Sequence, residues 1–152
     1  CGCNCVHRVV RGVMSREIGR QAHCSCPRMA AAPSGKGIDE RSFRFACDVI
    51  RFVRTIKYEA GLKRLAEQLV GASGSIGANR EEAAASSSRR EFVRYNEIAL
   101  RSARESVRWL QVCQEAGLGD PKLCATLLDE CRQIARVLGA IVVNTKHRDT
   151  HL

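Results

Sequence analysis

Five arginines recur in one stretch of the chain at spacings that place them on one side of an α-helix. At about 100° per residue they fall within a sector of about 80°. This arginine stripe consists of Arg90, Arg94, Arg101, Arg104 and Arg108. Guanidinium groups match the geometry of phosphates, so the stripe is a candidate for contacting a nucleic-acid backbone. The alternatives are a solvated face, or ion pairs within and between subunits with Glu91, Glu97 and Glu105.

The same helix carries apolar residues on more than one side. Opposite the arginine stripe lie Phe92, Ala99, Ala103, Val107 and Leu110, flanked by Val93 and Leu100. Ile98 and Trp109 share a third sector, away from both. A helix that packs against one neighbour needs an apolar stripe only about 100° wide. We therefore predict that Ile98 and Trp109 contribute to an oligomer interface; the alternative is that Trp109 rests on a neighbouring helix of its own subunit.

Residue types that catalysis requires do not occur at suitable spacings. A di-iron bundle needs Glu-x-x-His on facing helices, and that pattern is missing from the sequence. No histidine lies between His23 and His147, so the cysteines of that stretch have no base nearby in sequence. A phosphate-binding Gly-x4-Gly-Lys-Ser/Thr loop is also missing. We predict a protein that is not an enzyme and uses neither cofactor nor metal; a site formed between subunits is the remaining alternative.

Residues 1–28 differ from the rest of the chain because they combine Cys, Arg, His and Gly without sustained periodicity. Met29 and the leader after it look like a natural start, so we expect residues 1–28 to be translated from upstream sequence and to contribute nothing to the fold. The alternative is a metal site. Its candidate ligands are Cys3, Cys5, His7, His23, Cys24 and Cys26. Paired zinc cysteines are typically separated by two to four residues, whereas one residue separates each pair here.

The net charge is +9, of which residues 29–152 carry +5. This moderate excess suits an acidic partner such as nucleic acid, although ordinary domains show it too. With 5% aromatic residues and three prolines, the composition favours helices over a β-sandwich. No apolar run is long enough to span a bilayer. We expect a cytoplasmic protein in which Cys47, Cys113, Cys124 and Cys131 are free thiols on buried or half-buried faces.

Apolar periodicity from residue 38 onward predicts four helices. Their expected bounds are about residues 40–58, 62–84, 89–115 and 121–146. Asp39 is the expected N-cap of the first helix, and Asp120 before Pro121 caps the fourth. Ser87 or Ser88 is expected to cap the third, where Glu91 completes a capping box with Ser88. Small residues fill the middle of the second helix, which favours close approach of another backbone; the alternative is a kink. Short links between long amphipathic helices predict an antiparallel up-and-down bundle.

One set of residues resembles a known family. It comprises Ser75-Ile-Gly-Ala-Asn79, Glu82-Ala83, Phe92, Ala99-Leu100 and Ala103-Arg-Glu-Ser-Val-Arg-Trp-Leu110. These motifs are similar to those of the bacterial four helix bundle protein family, which includes proteins encoded in intervening sequences of large-subunit ribosomal RNA. That family is related to the accessory protein of diversity-generating retroelements. The resemblance covers about residues 43–146.

The resemblance implies a homopentamer of four-helix subunits with no known catalytic activity. For the retroelement member it implies a basic surface that contacts nucleic acid and a reverse transcriptase. Nothing in this chain indicates a reverse-transcriptase context, so that role is not carried over. By motif position, Asn79, Glu82 and Glu105 are the signature polar residues, expected to pack and to form hydrogen bonds between helices. Glu105 is also spaced to pair with Arg101 or Arg108 on its own helix.

Together these patterns predict an all-α protein: a four-helix bundle at residues 39–146, after a disordered extension and leader at 1–38 and before a polar tail at 147–152. The predicted function is a non-enzymatic homo-oligomer that is a candidate for binding RNA or DNA through the arginine stripe. The alternative is a protein–protein adaptor or scaffold ring with no nucleic-acid role.

Overall fold

The computed structural model describes residues 37–57 and 59–147, and the secondary structure in this part of the chain is helical. Its four α-helices are α1 (Ile38–Val53), α2 (Lys63–Ala85), α3 (Arg89–Glu115) and α4 (Pro121–His147). Consecutive helices pack against each other and α1 also packs against α4, which closes the bundle. The predicted antiparallel four-helix bundle is confirmed. The predicted extension and the alternative metal site at Cys3, Cys5, His7, His23, Cys24 and Cys26 lie outside the described residues.

Core residues recur at spacings of three and four along each helix, as an amphipathic bundle requires. The largest buried side chains include Phe45 and Phe52 of α1, Ile76 of α2 and Leu110 of α3. The cysteines follow the same pattern: Cys113, Cys124 and Cys131 are buried and Cys47 is half-buried, all as free thiols. None of the described helices combines the length and apolar character required to cross a bilayer.

Helix α1 differs from its predicted bounds at both ends. It begins after Gly37, which provides no side-chain cap, so the prediction of Asp39 as N-cap was wrong. The Asp39 carboxylate instead accepts a hydrogen bond from Arg80 Nε at 2.8 Å. The helix ends at Val53 because the Thr55 hydroxyl donates to the Phe52 carbonyl and accepts from the Asp120 N–H, which draws this segment to the start of α4.

The caps predicted for α3 and α4 are present. Ser88 Oγ accepts from the Glu91 N–H at 3.2 Å, and the Glu91 carboxylate accepts from the Ser88 hydroxyl and not from the backbone. Asp120 Oδ1 accepts from the Leu123 N–H at 2.8 Å, with Pro121 as the first residue of α4. These local contacts satisfy backbone donors that a helix start leaves unpaired, which explains why the bounds of α3 and α4 match the sequence pattern.

The glycines of α2 neither interrupt the helix nor face another backbone of the same subunit, whereas Ala72 and Ser73 of the same stretch are buried. Helix α2 runs without interruption through Gly71, Gly74 and Gly77. A Cβ built at any of these three glycines would meet no atom within 4 Å beyond the backbone of its own turn of helix. At the glycines, the predicted close approach of another backbone is therefore not made within the described part of the subunit, whereas Ser75 contacts Ser102 of α3 at 3.1 Å.

Candidate nucleic-acid interface

The fold places the arginine stripe on the outer side of α3. Ala99, Ala103 and Leu110 are fully buried and define the side of α3 that faces the core. The arginine stripe lies about 180° away at about 100° per residue. All five of its side chains are exposed, so packing of α3 against α2 and α4 leaves them outside the bundle.

The carboxylates that the sequence offered as ion-pair partners are engaged elsewhere. Glu97 Oε1 accepts from Lys146 Nζ of α4 at 2.6 Å. Glu105 Oε1 lies 3.3 Å from Trp109 Nε1, which donates to it, and Glu91 bonds to Ser88 at the helix start. Within the described residues, no member of the arginine stripe makes a hydrogen bond or an ion pair. Five guanidinium groups therefore share one side of α3 with their donors available.

Two further arginines, Arg132 and Arg136, lie on the adjacent flank of α4. The Cys131 thiol donates to the Ala103 carbonyl at 3.3 Å, which brings this part of α4 level with the middle of α3. Arg108 and Arg132 line one surface depression, together with Gln111 and Glu115. Arg136 is one turn beyond Arg132 on the same side of α4. Both are exposed and, like the arginine stripe, have no partner among the described residues.

Sequence reasoning missed Arg132 and Arg136 because it treated α3 alone. The available signal was their spacing of four residues on the polar side of α4. Which flank of α4 meets α3 depends, however, on the register between two antiparallel helices, and the periodicity of one helix carries no information about that register. The structure therefore extends the predicted basic surface from one helix to two.

The predicted interface residues on α3 are less accessible than the sequence suggested. Ile98 and Trp109 are both partly buried, and Trp109 packs against the core cluster of its own subunit. The large apolar side chains that the described residues leave exposed lie on α1 and α4. Phe43 is 65% exposed and Ile50 47%, and Val137 and Val143 are the other two. A role for Ile98 and Trp109 in self-association stays a prediction.

The signature polar residues make their hydrogen bonds inside single helices and not between helices. Asn79 Nδ2 donates to the Ser75 carbonyl at 2.8 Å and also contacts the Ser75 hydroxyl. Ser75 in turn bonds Ser102 of α3 at 3.1 Å, so Asn79 acts on the α2–α3 contact only through Ser75. Glu105 bonds Trp109 in place of the expected Arg101 or Arg108, and Glu82 is exposed.

The buried cysteines have the chemistry of core residues. Burial raises the pKa of Cys113 to about 11 and that of Cys131 to about 12, and it also raises the pKa of Cys124. Because the thiolate is the nucleophile and the metal ligand, these three groups are protonated and weakly reactive at neutral pH. The described residues contain no group of three His, Cys, Asp or Glu side chains placed to hold a metal ion.

Comparison with known proteins gives a family for the chain. A search of curated proteins yields no match. One similar solved structure is a protein of unknown function from the S23 ribosomal protein family of Bacteroides thetaiotaomicron, with a TM-score of 0.65 and 24% identity. The similarity covers 70% of this chain and 98% of that chain, and at this identity it shows the fold alone. A sequence model described as 23S rRNA-intervening sequence protein matches residues 37–140, more than half of the chain. The protein therefore belongs to the 23S rRNA-intervening sequence protein family, which confirms the resemblance seen in its motifs.

Proposed function

We propose that the protein is a non-enzymatic homo-oligomer that binds RNA or DNA through the arginine stripe. One observation carries the proposal: five exposed guanidinium groups share one side of α3 and have no carboxylate partner in the described chain. Phosphate groups match guanidinium geometry and supply the missing charge. The family to which the chain belongs takes its description from an intervening sequence of ribosomal RNA, which is compatible with a nucleic-acid partner.

Helix energetics support a bound anion. Arg90 and Arg94 are four residues apart, as are Arg104 and Arg108, and Arg101 precedes Arg104 by three. Like charges at these spacings destabilise a helix by about 0.2–0.5 kcal/mol per pair. Glu97 and Glu105 stand at the same spacings from Arg101 but bond Lys146 and Trp109, so a phosphate backbone alongside α3 would relieve the repulsion that remains. The arrangement is thus easier to explain as a binding surface than as a stabilising one.

We propose a protein that is not an enzyme because of the side chains that α3 and α4 carry. The three buried thiols are held in the neutral form, which suits packing and not nucleophilic attack. His147, at the end of α4, is the histidine that the described residues contain. General acid–base chemistry at neutral pH most often uses histidine beside a second positioned group. Phosphate binding by arginine needs no such arrangement.

Self-association is the second part of the proposal. The resemblance implies a pentamer, and the subunit leaves Phe43 and Ile50 exposed seven residues apart on α1. Apolar side chains grouped on one helix face are typical of protein contact surfaces. We expect light scattering of the full chain to give a mass several times that of one subunit. A single-subunit mass at high protein concentration would contradict this part of the proposal and leave the arginine stripe unaffected.

The nucleic-acid part is tested by charge reversal in the full chain. We expect Arg101→Glu with Arg108→Glu to weaken binding of a fluorescent RNA by about tenfold or more, because each reversed side chain repels a phosphate it formerly contacted. The matched control is Arg54→Glu with Lys57→Glu, which reverses two exposed charges beyond the end of α1. Fluorescence anisotropy at low salt gives both affinities. Equal losses of RNA affinity in the two variants, or no RNA binding by the unaltered protein, would contradict the proposal.

A scaffold ring with no nucleic-acid role is the second candidate. It is favoured by the exposed Phe43 and Ile50, which give the subunit an apolar surface separate from the arginines. Under this alternative the protein assembles but does not bind RNA or DNA at low salt. The measurements above therefore separate the two functions.

A further inference from the structure

The exposed arginines form two rows on neighbouring helices. The α3 row includes Arg94 and Arg108, which are separated by about 21 Å along the axis at a rise of about 1.5 Å per residue. The α4 row consists of Arg132 and Arg136. Axes of packed helices lie about 8–10 Å apart, so the rows run side by side. Arg108 and Arg132 line the same depression, which shows that the rows meet at one surface.

In the part of the chain that the structure describes, the carboxylates on the two-row surface form no ion pair with its arginines. Glu97 lies within the arginine stripe, between Arg94 and Arg101, and is paired with Lys146. Asp129 of α4 accepts a hydrogen bond from Gln133 at 2.8 Å. Glu115 borders the depression at the end of α3. The surface therefore carries several positive charges at separate positions, which suits a polyanion better than a single small anion.

Aromatic side chains are missing from the exposed part of this surface. Phe92, Tyr95 and Trp109 of α3 are all partly buried, and the exposed aromatic residue among those that the structure describes, Phe43, is on α1. The exposed large apolar residues of α4 are Val137 and Val143, both aliphatic. Proteins that bind single strands combine a basic groove with exposed aromatics on which unpaired bases stack. The two-row surface has the charge for such a site but not the stacking platform.

We propose that the two-row surface, formed by arginines of both α3 and α4, binds double-stranded nucleic acid through its phosphates alone. In a duplex the bases are already stacked on each other, so affinity requires only backbone contacts. Two strands also present phosphates in two lines, which two rows of guanidinium groups can meet. This inference rests on the proposed function, since it specifies the partner of the same surface and adds Arg132 and Arg136 to it.

The test compares a duplex RNA of about 20 base pairs with a uridine strand of about the same length, bound to the full chain at several salt concentrations. We expect the duplex to bind about tenfold more tightly or better, with log affinity falling by about 0.9 per phosphate contact for each unit of log salt. Arg132→Gln with Arg136→Gln should weaken duplex binding and reduce the salt slope by about 2. The control, Arg54→Gln with Lys57→Gln, should change neither.

The outcomes separate this inference from the proposed function. Uridine binding as tight as duplex binding would overturn the duplex preference while the arginine stripe remains a nucleic-acid site. Equal effects of the α4 variant and the control on duplex binding would show that Arg132 and Arg136 do not contact the duplex. Two duplexes of unrelated sequence that differ by more than about tenfold would overturn recognition through phosphates alone. If neither the duplex RNA nor the uridine strand binds at low salt, the proposed function itself is contradicted.

Discussion

Arg80 is the charged side chain that the bundle buries most deeply, with 7% of the residue exposed. Its Nε lies 2.8 Å from Asp39 Oδ1 of α1 and its Nη1 lies 2.5 Å from Asn96 Oδ1 of α3. One residue of α2 therefore joins three helices. A buried guanidinium is tolerated only when its donors are satisfied, because desolvation of a lone charge costs several kcal/mol. Asn96 is the fully buried partner, since its carbonyl oxygen accepts from Arg80 and its amide donates to the Phe92 carbonyl.

We expect Asn96→Ala to lower the free energy of unfolding by about 1–3 kcal/mol, because it leaves Arg80 Nη1 buried without an acceptor. Asn79→Ala is the matched control: its amide bonds only residues of its own helix turn, and its loss should cost less than about 1 kcal/mol. Urea unfolding followed by circular dichroism, at one fixed protein concentration, measures both. Losses of similar size would show that the Arg80 contact contributes little.

At the scale of elements, both local hydrogen bonds and a contact with α1 determine the turn between α3 and α4. Gly117 and Gly119 both have positive φ, at 64° and 71°. The Leu118 N–H donates to the Cys113 carbonyl and the Gly117 N–H to the Gln114 carbonyl, which together form a Schellman motif. Gly119 has a further constraint, since a Cβ there would lie 2.7 Å from Cε2 of Phe52 in α1.

This difference predicts unequal effects of two alanine substitutions. Gly117→Ala should cost about 1–2 kcal/mol, since a left-handed backbone is strained but a Cβ there meets nothing within 4 Å. Gly119→Ala should cost a further 1–3 kcal/mol or so, because Phe52 must also move. Both values come from denaturant unfolding of the full chain. A Gly119→Ala protein no less stable than the Gly117→Ala protein would show that Phe52 adapts without cost.

Element bounds were predictable where a local contact determines them and not where a distant one does. Ser88 and Asp120 cap α3 and α4 through residues three positions away, so the sequence pattern located both starts. The end of α1 depends on Thr55 contacting Asp120, which is 65 residues away in sequence. Periodicity alone extended α1 towards Tyr58. The arginine stripe was likewise visible within one helix, whereas its continuation on α4 required the register of two.

On the scale of the whole molecule, three thiols in the core link stability to pH. Cys113 and Cys131 are fully buried in the shared core, and burial raises the pKa of both thiols, to about 11 and about 12. In the unfolded chain a cysteine ionises near pH 8.5 or so. Above that pH the unfolded state loses thiol protons that the folded state keeps, so alkaline solution favours unfolding.

We therefore expect the free energy of unfolding to be insensitive to these thiols below about pH 8 and to fall as pH rises towards their folded-state pKa values. The fall is at most about 1.4 kcal/mol per pH unit for each thiol. Urea unfolding at about pH 8 and about pH 10 measures it. Cys131→Ala removes the contribution of one thiol to the pH dependence, so the free energy of unfolding of this variant should fall less between the two pH values. An equal fall in both proteins would show that Cys131 is not linked to unfolding in this range.

The glycines of α2 have a consequence for how the bundle forms. Each of Gly71, Gly74 and Gly77 lowers intrinsic helix stability by about 1 kcal/mol relative to alanine, and α2 lies between α1 and α3. The glycine-rich middle of α2 therefore depends on the burial of Leu69 and Ile76 against the neighbouring helices. We therefore expect α1, α2 and α3 to fold together in one cooperative step. On this expectation α2 forms together with the bundle and not before it.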